Sequence, residues 1–584
     1  MRLIILITLL ASGCQSQGVP HPSNASISSA HPEATRAGIE ILKKGGNAIE
    51  AAIAVSATLS VVEPYSSGLG GGGFAIVYDA KKNEIRTFDF REMAPLQSHP
   101  KMYLKNGVPI PRASLDGPLA AGTPGLVMGW YRLLETYGNQ YNSNWAALLA
   151  HAEKLAREGF QVDPKLEKSI AENKVRMNPA MKQVFLKNGE TLKKGALLKQ
   201  SDLSKTLHAF QEKGPLFFYQ DPEFIKNFET EVRKSKGILT AKDLKTYEAK
   251  ERPPILGEFE GLEVASFPPP SSGGIHLLQM MNLLELLKKP EWSRRSPTYY
   301  HDLIESMRLA YVDRATFLGD PDFVCVPEAG LASREYAKAR VKHIPIKAGN
   351  SETLRAGNPW KFQKGSCSSK LFKPLATKLK KPKFKDHHTS HFSIVDREGN
   401  AVAITQTINT HFGSAFMVPK TGVILNNEMD DFAIAPGTPN AYGLIGGKAN
   451  EIRPRKRPLS SMTPTLLFKK DSKTGNRKVF MVTGTPGGSR IITTTLQTIL
   501  NAVLFQMNAK ESVSAPRIHH QWFPDEVFYE KETFSDSLQH ALQEMGYRLT
   551  PTDSICNAQL VLLEKDRAYH GASDPRGVGS SEDL

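Results

Sequence analysis

From residue 32 onward, apolar and polar positions recur with a helical period. Ala34, Ala37, Ile41 and Leu42 form one apolar stripe, and Gly45-Gly46 ends that helix in the manner of a left-handed cap. A second stripe, Ala48, Ala51, Ala52, Val55 and Leu59, begins behind a capping Asn47. Its many alanines predict close packing. After "SSGLGGGGF" (66–74) the period shortens, and "AIVYDAKKNEIRTFDFREMAP" reads as two strands around a turn at 81–83. Between 137 and 360 helical periodicity dominates, with segments near 145–158, 275–287 and 298–317; "FPPPSSGGIH" (267–276) is a rigid turn feeding the second of these. From Thr389 the pattern changes to short alternating strands, with turns at 396–400, 436–439 and 471–476 and one helix at 491–505. No internal repeat is visible. Helices first and strands later predict a layered α/β architecture.

The glycine-rich run at 66–74 lacks GxxxxGK[ST] and follows a helix instead of opening one, which favours close backbone packing over phosphate binding. More chemistry lies in "KDHHTSHFSIVDREGNAVAITQTIN" (385–409), where His387, His388 and His391 crowd Thr389. A metal site would need a helix, with His387 and His391 one turn apart. The β-branched residues on either side of "DREGN" predict a β-hairpin instead. On a strand, residues four apart are roughly 13 Å apart, too far to share an ion.

If the five turn residues 396–400 join the strands symmetrically, Val395 faces Ala401, Ser393 faces Ala403, His391 faces Thr405 and Thr389 faces Thr407. Directly opposed Cβ atoms are about 5 Å apart, within reach of a hydroxyl–hydroxyl hydrogen bond. Such a pair is ordinary strand decoration as readily as a nucleophile and its helper, and a one-residue slip would separate it. A threonine hydroxyl needs a base to react. Cutting the chain before Thr389 would supply one, since a terminal α-amino group has a pKa of about 7.7–8.0. The basic, polar segment ending at His388 suits such a cut.

The chain has 584 residues, more than one ordinary domain, so two domains or one large enzyme body are expected. With 40% hydrophobic and 23% charged residues its composition is globular. Its 74 basic against 59 acidic residues give a net charge of +15. Much of the excess lies in the lysine-rich stretch 361–385, read as a solvated loop, and no nucleic-acid partner is expected. At the N-terminus Arg2 precedes an apolar run, Leu3 to Leu10, that is too short to span a bilayer and fits a secretory signal. "LLASGCQS" has the form of a bacterial lipoprotein processing site at Cys14, with plain secretion the alternative. Without Cys14 the cysteines are Cys325, Cys367 and Cys556, with no metal-site spacing; one disulfide, Cys367 to Cys556 for instance, stays open.

Six segments in this order, "SSGLGGGGF", "FREMAP", "PPPSSGGIH", "ILNNEMDDF", "KRPLSSMTPT" and "TGTPGGSRIITT", resemble the γ-glutamyltranspeptidases (glutathione hydrolases) of the N-terminal-nucleophile hydrolase superfamily. The resemblance covers nearly all of the chain after the leader. It implies a four-layer αββα sandwich with a helix-rich large subunit, and a precursor that cuts itself at His388–Thr389. The expected organisation is then a signal at 1–14, a large subunit at 15–388 and a small catalytic subunit at 389–584, paired as a heterodimer. The family nucleophile falls on Thr389, and its assisting hydroxyl on Thr407.

Further positions follow from the resemblance. Arg91, Ser460 and Ser461 match the groups that hold a γ-glutamyl α-carboxylate, and Asn409, Glu428 and Asp431 match the acceptors for its ammonium group. Gly487 and Gly488 match the oxyanion hole. Tyr442, in a lid at 435–451, matches the residue that covers the substrate. Taken singly, each of these has a plainer meaning: a surface ion pair for Arg91, turn caps for the serines, a tight turn for the glycines. His387-His388 and Ser390 depart from the usual family residues, which bears on the rate of self-cleavage. The implied activity is transfer of the γ-glutamyl group of glutathione or a related amide to water, an amino acid or a peptide, with no metal or organic cofactor. The alternatives are a glutaryl (cephalosporin-type) acylase, a polyglutamate-processing relative, or an inactive surface-anchored binding protein. Export to the periplasm or a lipid-anchored envelope location is expected.

Overall fold

The computed structural model describes residues 24–138, 144–365, 389–435 and 437–584. The leader with Cys14, the histidines 387 and 388, Cys367, most of the lysine-rich stretch and the first residue of the 436–439 turn lie outside these.

Two antiparallel sheets lie face to face. The larger has seven strands in the order Lys250–Arg252, Glu84–Phe90, Gly72–Asp79, Ala401–Thr407, Ser390–Val395, Ser26–Ser29, Ser580–Asp583. The second has six, in the order Ile255–Phe259, Leu262–Ser266, Thr465–Lys470, Arg477–Gly484, Gln559–Leu563, Tyr569–Ser573. Their facing side chains, among them Ile76, Val395, Ala403, Leu466, Val482 and Val561, form a buried cluster between the sheets. Helices Pro32–Lys43, Ala48–Val62, Leu126–Tyr137 and Trp145–Glu158 belong to the layer on the first sheet, and Gly273–Leu287, Pro297–Phe317 and Ile491–Val503 to the layer on the second. These are the expected four αββα layers. Both sheets combine strands from before and after position 389, so the two expected subunits would share each sheet.

Local signals account for many element ends. Asn47 caps Ala48–Val62 in a reciprocal box with Glu50, and Gly45 adopts φ +87° behind the preceding helix. Every residue of Ala48–Val62 is buried, so its small side chains serve all its faces rather than the single stripe the sequence predicts. The glycines at 70–73 allow close approach: a Cβ would lie 2.1 Å from the Ile424 carbonyl oxygen at Gly70 and 2.0 Å from that of Thr407 at Gly71.

One central strand escaped the hydropathy pattern. Ser26–Ser29 reads "SISS", yet it pairs with both Ser390–Val395 and Ser580–Asp583. Its hydroxyls are satisfied inside the fold: Ser28 donates to Gln559 Oε1 at 2.7 Å, and Ser29 and Thr35 share a 2.7 Å bond. The cysteines also need correction. Cys556 is a free thiol and Cys325 is disulfide-bonded, so Cys367 and Cys556 do not pair. Cys556 is instead committed to close packing, with its Sγ 2.2 Å from where a Cβ on Gly487 would lie.

Candidate active site

The hairpin has the register counted from its turn. Val395 pairs with Ala401, Ser393 with Ala403 and His391 with Thr405. One step beyond, Thr389 Oγ1 donates to Thr407 Oγ1 at 3.2 Å, and both residues are buried. Thr407 Oγ1 also accepts the backbone N–H of Asn409 at 2.8 Å. His391, two residues further along the same strand face, bonds Thr405 Oγ1 at 2.8 Å and Ser393 Oγ at 3.2 Å. Burial lowers its pKa to about 3, so it is a neutral packed residue. Among the described residues no group of histidines, cysteines and carboxylates could hold a metal ion.

A small cavity opens beside Thr389 and Thr407. All the candidate residues line it except Gly487. Arg91, carried at the end of strand Glu84–Phe90, enters from the edge of the large sheet. Its Nη1 donates to Glu428 and its Nη2 to Asp431 Oδ2 at 2.5 Å, while Nε donates to the Pro458 carbonyl at 3.2 Å. Glu92 lies 3.7 Å from the same guanidinium. Burial acts to lower the Arg91 pKa, but these three carboxylates outweigh it and hold the pKa above its usual value. Burial raises the Glu428 and Asp431 pKa values despite Arg91, and that of Glu92 to about 7. Burial and the guanidinium thus oppose each other at this wall, burial favouring the neutral carboxyls and Arg91 the ionised ones.

Tyr442 closes the roof, its hydroxyl donating to Asn409 at both the backbone carbonyl (2.9 Å) and Oδ1. Asn409 adopts φ +76° and donates through Nδ2 to the Asn427 carbonyl at 2.9 Å. The floor is "LSSM", propped by the turn that the sequence shows only as a helix lead-in. Ser272 donates through N and Oγ to the Ser460 carbonyl at 2.9 and 2.7 Å, and Ser271 Oγ donates to the Met462 carbonyl at 2.6 Å.

Sequence reasoning missed Arg314. On helix Pro297–Phe317, this buried residue lines the cavity and donates to Ser272 Oγ at 2.9 Å and Ser461 Oγ at 3.1 Å. Burial lowers its pKa to about 10, leaving it a cation at neutral pH. One turn earlier, Tyr311 donates to the Ser489 carbonyl. The sequence neighbours of Arg314 include Asp313 and Arg308, so it reads as an ordinary charged helix position, and only the folded helix shows its burial.

Gly487 and Gly488 have φ +134° and +58°, where side chains are strained. They lead into a short turn, Gly488–Arg490, and then helix Ile491–Val503. The positive end of that helix therefore lies behind their backbone N–H groups. A Cβ on Gly488 would come within 2.4 Å of the Tyr442 ring, so glycine is required for the lid to close. Two opposed hydroxyls, an arginine beside serine hydroxyls, a group of buried carboxyls and a glycine turn at a helix N-terminus are a set of groups that can serve acyl transfer.

The γ-glutamyltranspeptidase family model matches residues 34–583. The chain belongs to that family. It is 39% identical to the Escherichia coli glutathione hydrolase proenzyme over 99% of this chain and 98% of that one. Against the Bacillus subtilis glutathione hydrolase proenzyme identity is 40%, over 95% and 90%. Among solved structures, Helicobacter pylori γ-glutamyltranspeptidase matches at 36% identity and a TM-score of 0.54, covering 58% of this chain and 97% of that one. A Bacillus halodurans cephalosporin acylase matches the fold of this γ-glutamyltranspeptidase family member with a TM-score of 0.81 over 99% of both chains, at 24% identity. The family's N-terminal-nucleophile hydrolase fold is thus that of the αββα sandwich described above.

Proposed function

We propose that this γ-glutamyltransferase and glutathione hydrolase matures by cleavage before Thr389 and then carries the γ-glutamyl group as an ester on that residue. The observation that carries the mechanism is the Thr389–Thr407 hydroxyl pair opening onto the Arg91, Glu428 and Asp431 cavity. The proenzyme names of the Escherichia coli and Bacillus subtilis relatives support processing of the chain; the two chains proposed are 15–388 and 389–584. Once cut, the Thr389 α-amino group takes the proton of its own hydroxyl. The freed oxygen attacks the γ carbonyl, the carbonyl oxygen takes up negative charge beside the Gly487 and Gly488 N–H groups, and the amine leaves with the proton. Water or an amine acceptor then breaks the ester and returns the proton to Thr389.

Substrate binding exchanges ion pairs. The α-carboxylate takes Arg91, Ser460 and Ser461 while the ammonium group takes Asn409, Glu428 and Asp431, so the buried charge balance is unchanged. Glutaryl lacks the ammonium and would leave Glu428 and Asp431 uncompensated, which disfavours an acylase. Tyr442 and the 435–451 segment close over the bound group. Amino acids and peptides serve as acceptors, and Cys14 carries a lipid that holds the exported enzyme at the envelope.

Denaturing electrophoresis of purified protein should show two fragments meeting at His388–Thr389. A γ-glutamyl anilide should release its chromophore and the glutaryl analogue should not; a single lasting band, or turnover of the glutaryl compound alone, overturns the proposal. Mass spectrometry of the membrane fraction tests the lipid on Cys14, and an unmodified leader cleaved elsewhere refutes it.

A further inference from the structure

The mechanism makes no use of "IHHQW" (518–522), yet this stretch buries two histidines and a glutamine. Gln521 donates through Nε2 to the backbone carbonyl of Tyr442 at 3.2 Å. Tyr442 is thus held at its main chain as well as at its hydroxyl, which is bound to Asn409. The neighbouring lid backbone is fastened differently. Ala441 N–H donates to Asp430 Oδ2 at 2.8 Å, and the N–H groups of Tyr442 and Leu444 each donate to Asn440 Oδ1 at 3.0 Å. Those bonds come from the Glu428–Asp431 turn and from the lid itself, whereas Gln521 ties the lid to a separate part of the fold.

Gln521 is itself aimed. Its Nε2 also donates to the Phe523 carbonyl at 3.2 Å, and its Oε1 faces His519 Nε2 at 2.9 Å. Carbonyls can only accept, so the amide nitrogen must face the two of them and the amide oxygen must face the imidazole. His519 Nε2 therefore carries a proton. Burial, with the Arg490 charge adding to it, lowers the His519 pKa to about 3, so the ring is neutral and its Nδ1 is an acceptor. Thr493 Oγ1, 2.8 Å away, donates to that nitrogen in preference to the Arg490 carbonyl at 3.0 Å. Thr493 lies in the first turn of helix Ile491–Val503, directly after the glycine turn. The same helix grips the chain beside His519: Gln497 donates through Nε2 to the Ile518 carbonyl at 2.7 Å and accepts the Ile518 N–H at 3.0 Å. The Tyr311 ring meets the imidazole edge-on, with ring centres 5.8 Å apart, and limits its rotation.

We propose that Gln521 is a positioning residue for γ-glutamyl binding: with His519 and Thr493 it latches the lid by its backbone and sets Tyr442 in register with the helix behind the glycine turn. This rests on the closure of the lid over the bound γ-glutamyl group proposed above. One helix then aligns two parts of the site, the glycine N–H groups beside the reacting carbonyl and the roof over the α end of the substrate. Gln521, His519 and Thr493 are not among the residues lining the cavity, so they act through Tyr442. A lid that is seated for only a fraction of the time weakens donor binding by that fraction, while a saturating donor still closes it. Loss of the latch is therefore felt in the donor KM and not in kcat.

Steady-state turnover of a γ-glutamyl anilide provides the test. Gln521→Leu nearly keeps the side-chain volume and removes the amide; the donor KM should rise about tenfold with kcat within about twofold of wild type. Fragments should still form at His388–Thr389. Tyr442→Ala is the reference: it should raise the donor KM by itself, and adding Gln521→Leu to it should cost little more, because both remove the same seated roof. Thr493→Val and Thr493→Ser compare the far end of the relay with and without its hydroxyl. Valine should raise the donor KM severalfold and serine should restore it, and this pair decides the matter if Gln521→Leu does not mature. A wild-type donor KM in Gln521→Leu, fully additive effects of Gln521→Leu and Tyr442→Ala, or equal KM values for the valine and serine variants would overturn the latch. A wild-type donor KM in Tyr442→Ala would instead sink the lid closure on which the latch rests.

Discussion

Thr389 meets Thr407 across 18 residues of one hairpin, whereas Arg91 meets Glu428 across 337 residues and Arg314 meets Ser461 across 147. The hydroxyl pair depends on a local register that a five-residue turn sets and the two flanking strands lock. The charged wall depends on the whole sandwich, because Arg91 leaves the large sheet to meet a loop that both sheets position. Reactive chemistry here is local and carries little charge; recognition is long-range and consists of charges that neutralise one another. Damage to the first should therefore silence the enzyme while leaving it folded, and damage to the second should cost affinity and stability together.

Thr389→Ala is the sharpest way to break that contrast. It should abolish fragment formation and lower anilide turnover by at least about 10³-fold with an unchanged melting temperature; cleavage and turnover at wild-type rates would show that the hairpin is not the reactive element. Next in size, Arg91→Ala leaves three buried carboxyl groups without their cation, a loss of about 3–5 kcal/mol for a broken buried pair. A donor KM raised about 10²-fold and a clear drop in melting temperature are expected, and stability equal to wild type would refute the coupling of recognition to folding.

Gly488→Ala tests where the two regions touch. At φ +58° with the Tyr442 ring 2.4 Å from the new Cβ, strain of about 1–3 kcal/mol should hold the lid off its seat. Turnover should fall about tenfold, and wild-type kinetics would show that the lid does not need this contact. The smallest effect concerns Glu92. Burial raises its pKa from 4.5 to about 7 even with Arg91 alongside. The folded chain thus keeps a proton that the unfolded chain releases near 4.5, and this contribution to stability is lost as pH rises through about 7. Glu92→Gln should make the melting temperature less dependent on pH between about 5 and 8, gaining on wild type as pH rises; parallel curves would refute a protonated Glu92.

Much of the fold was legible. Asn47, Gly45, the turn at 396–400 and the helix Trp145–Glu158 are set by short-range chemistry and emerged where their signals lie. The strand Ser26–Ser29 was not, because serine hydroxyls read as loop until Gln559 and Thr35 satisfy them. Arg314 was hidden for a related reason: nothing in "RLAYVDRATF" shows that this arginine will be enclosed by Ser272 and Ser461.

The amino-acid sequence by itself determined the hairpin and its opposed threonines, the capped helices, the glycine runs and, through the order of six motifs, the family. Backbone propensity, capping and strand register act over a few residues, so a linear pattern contains them. Only the tertiary structure decided that Arg91 is held by Glu428 and Asp431, that Arg314 joins the pocket, and that Gln521 reaches the Tyr442 carbonyl. Those facts depend on burial and on electrostatic balance among residues far apart in the chain, and both come into existence only when the layers close.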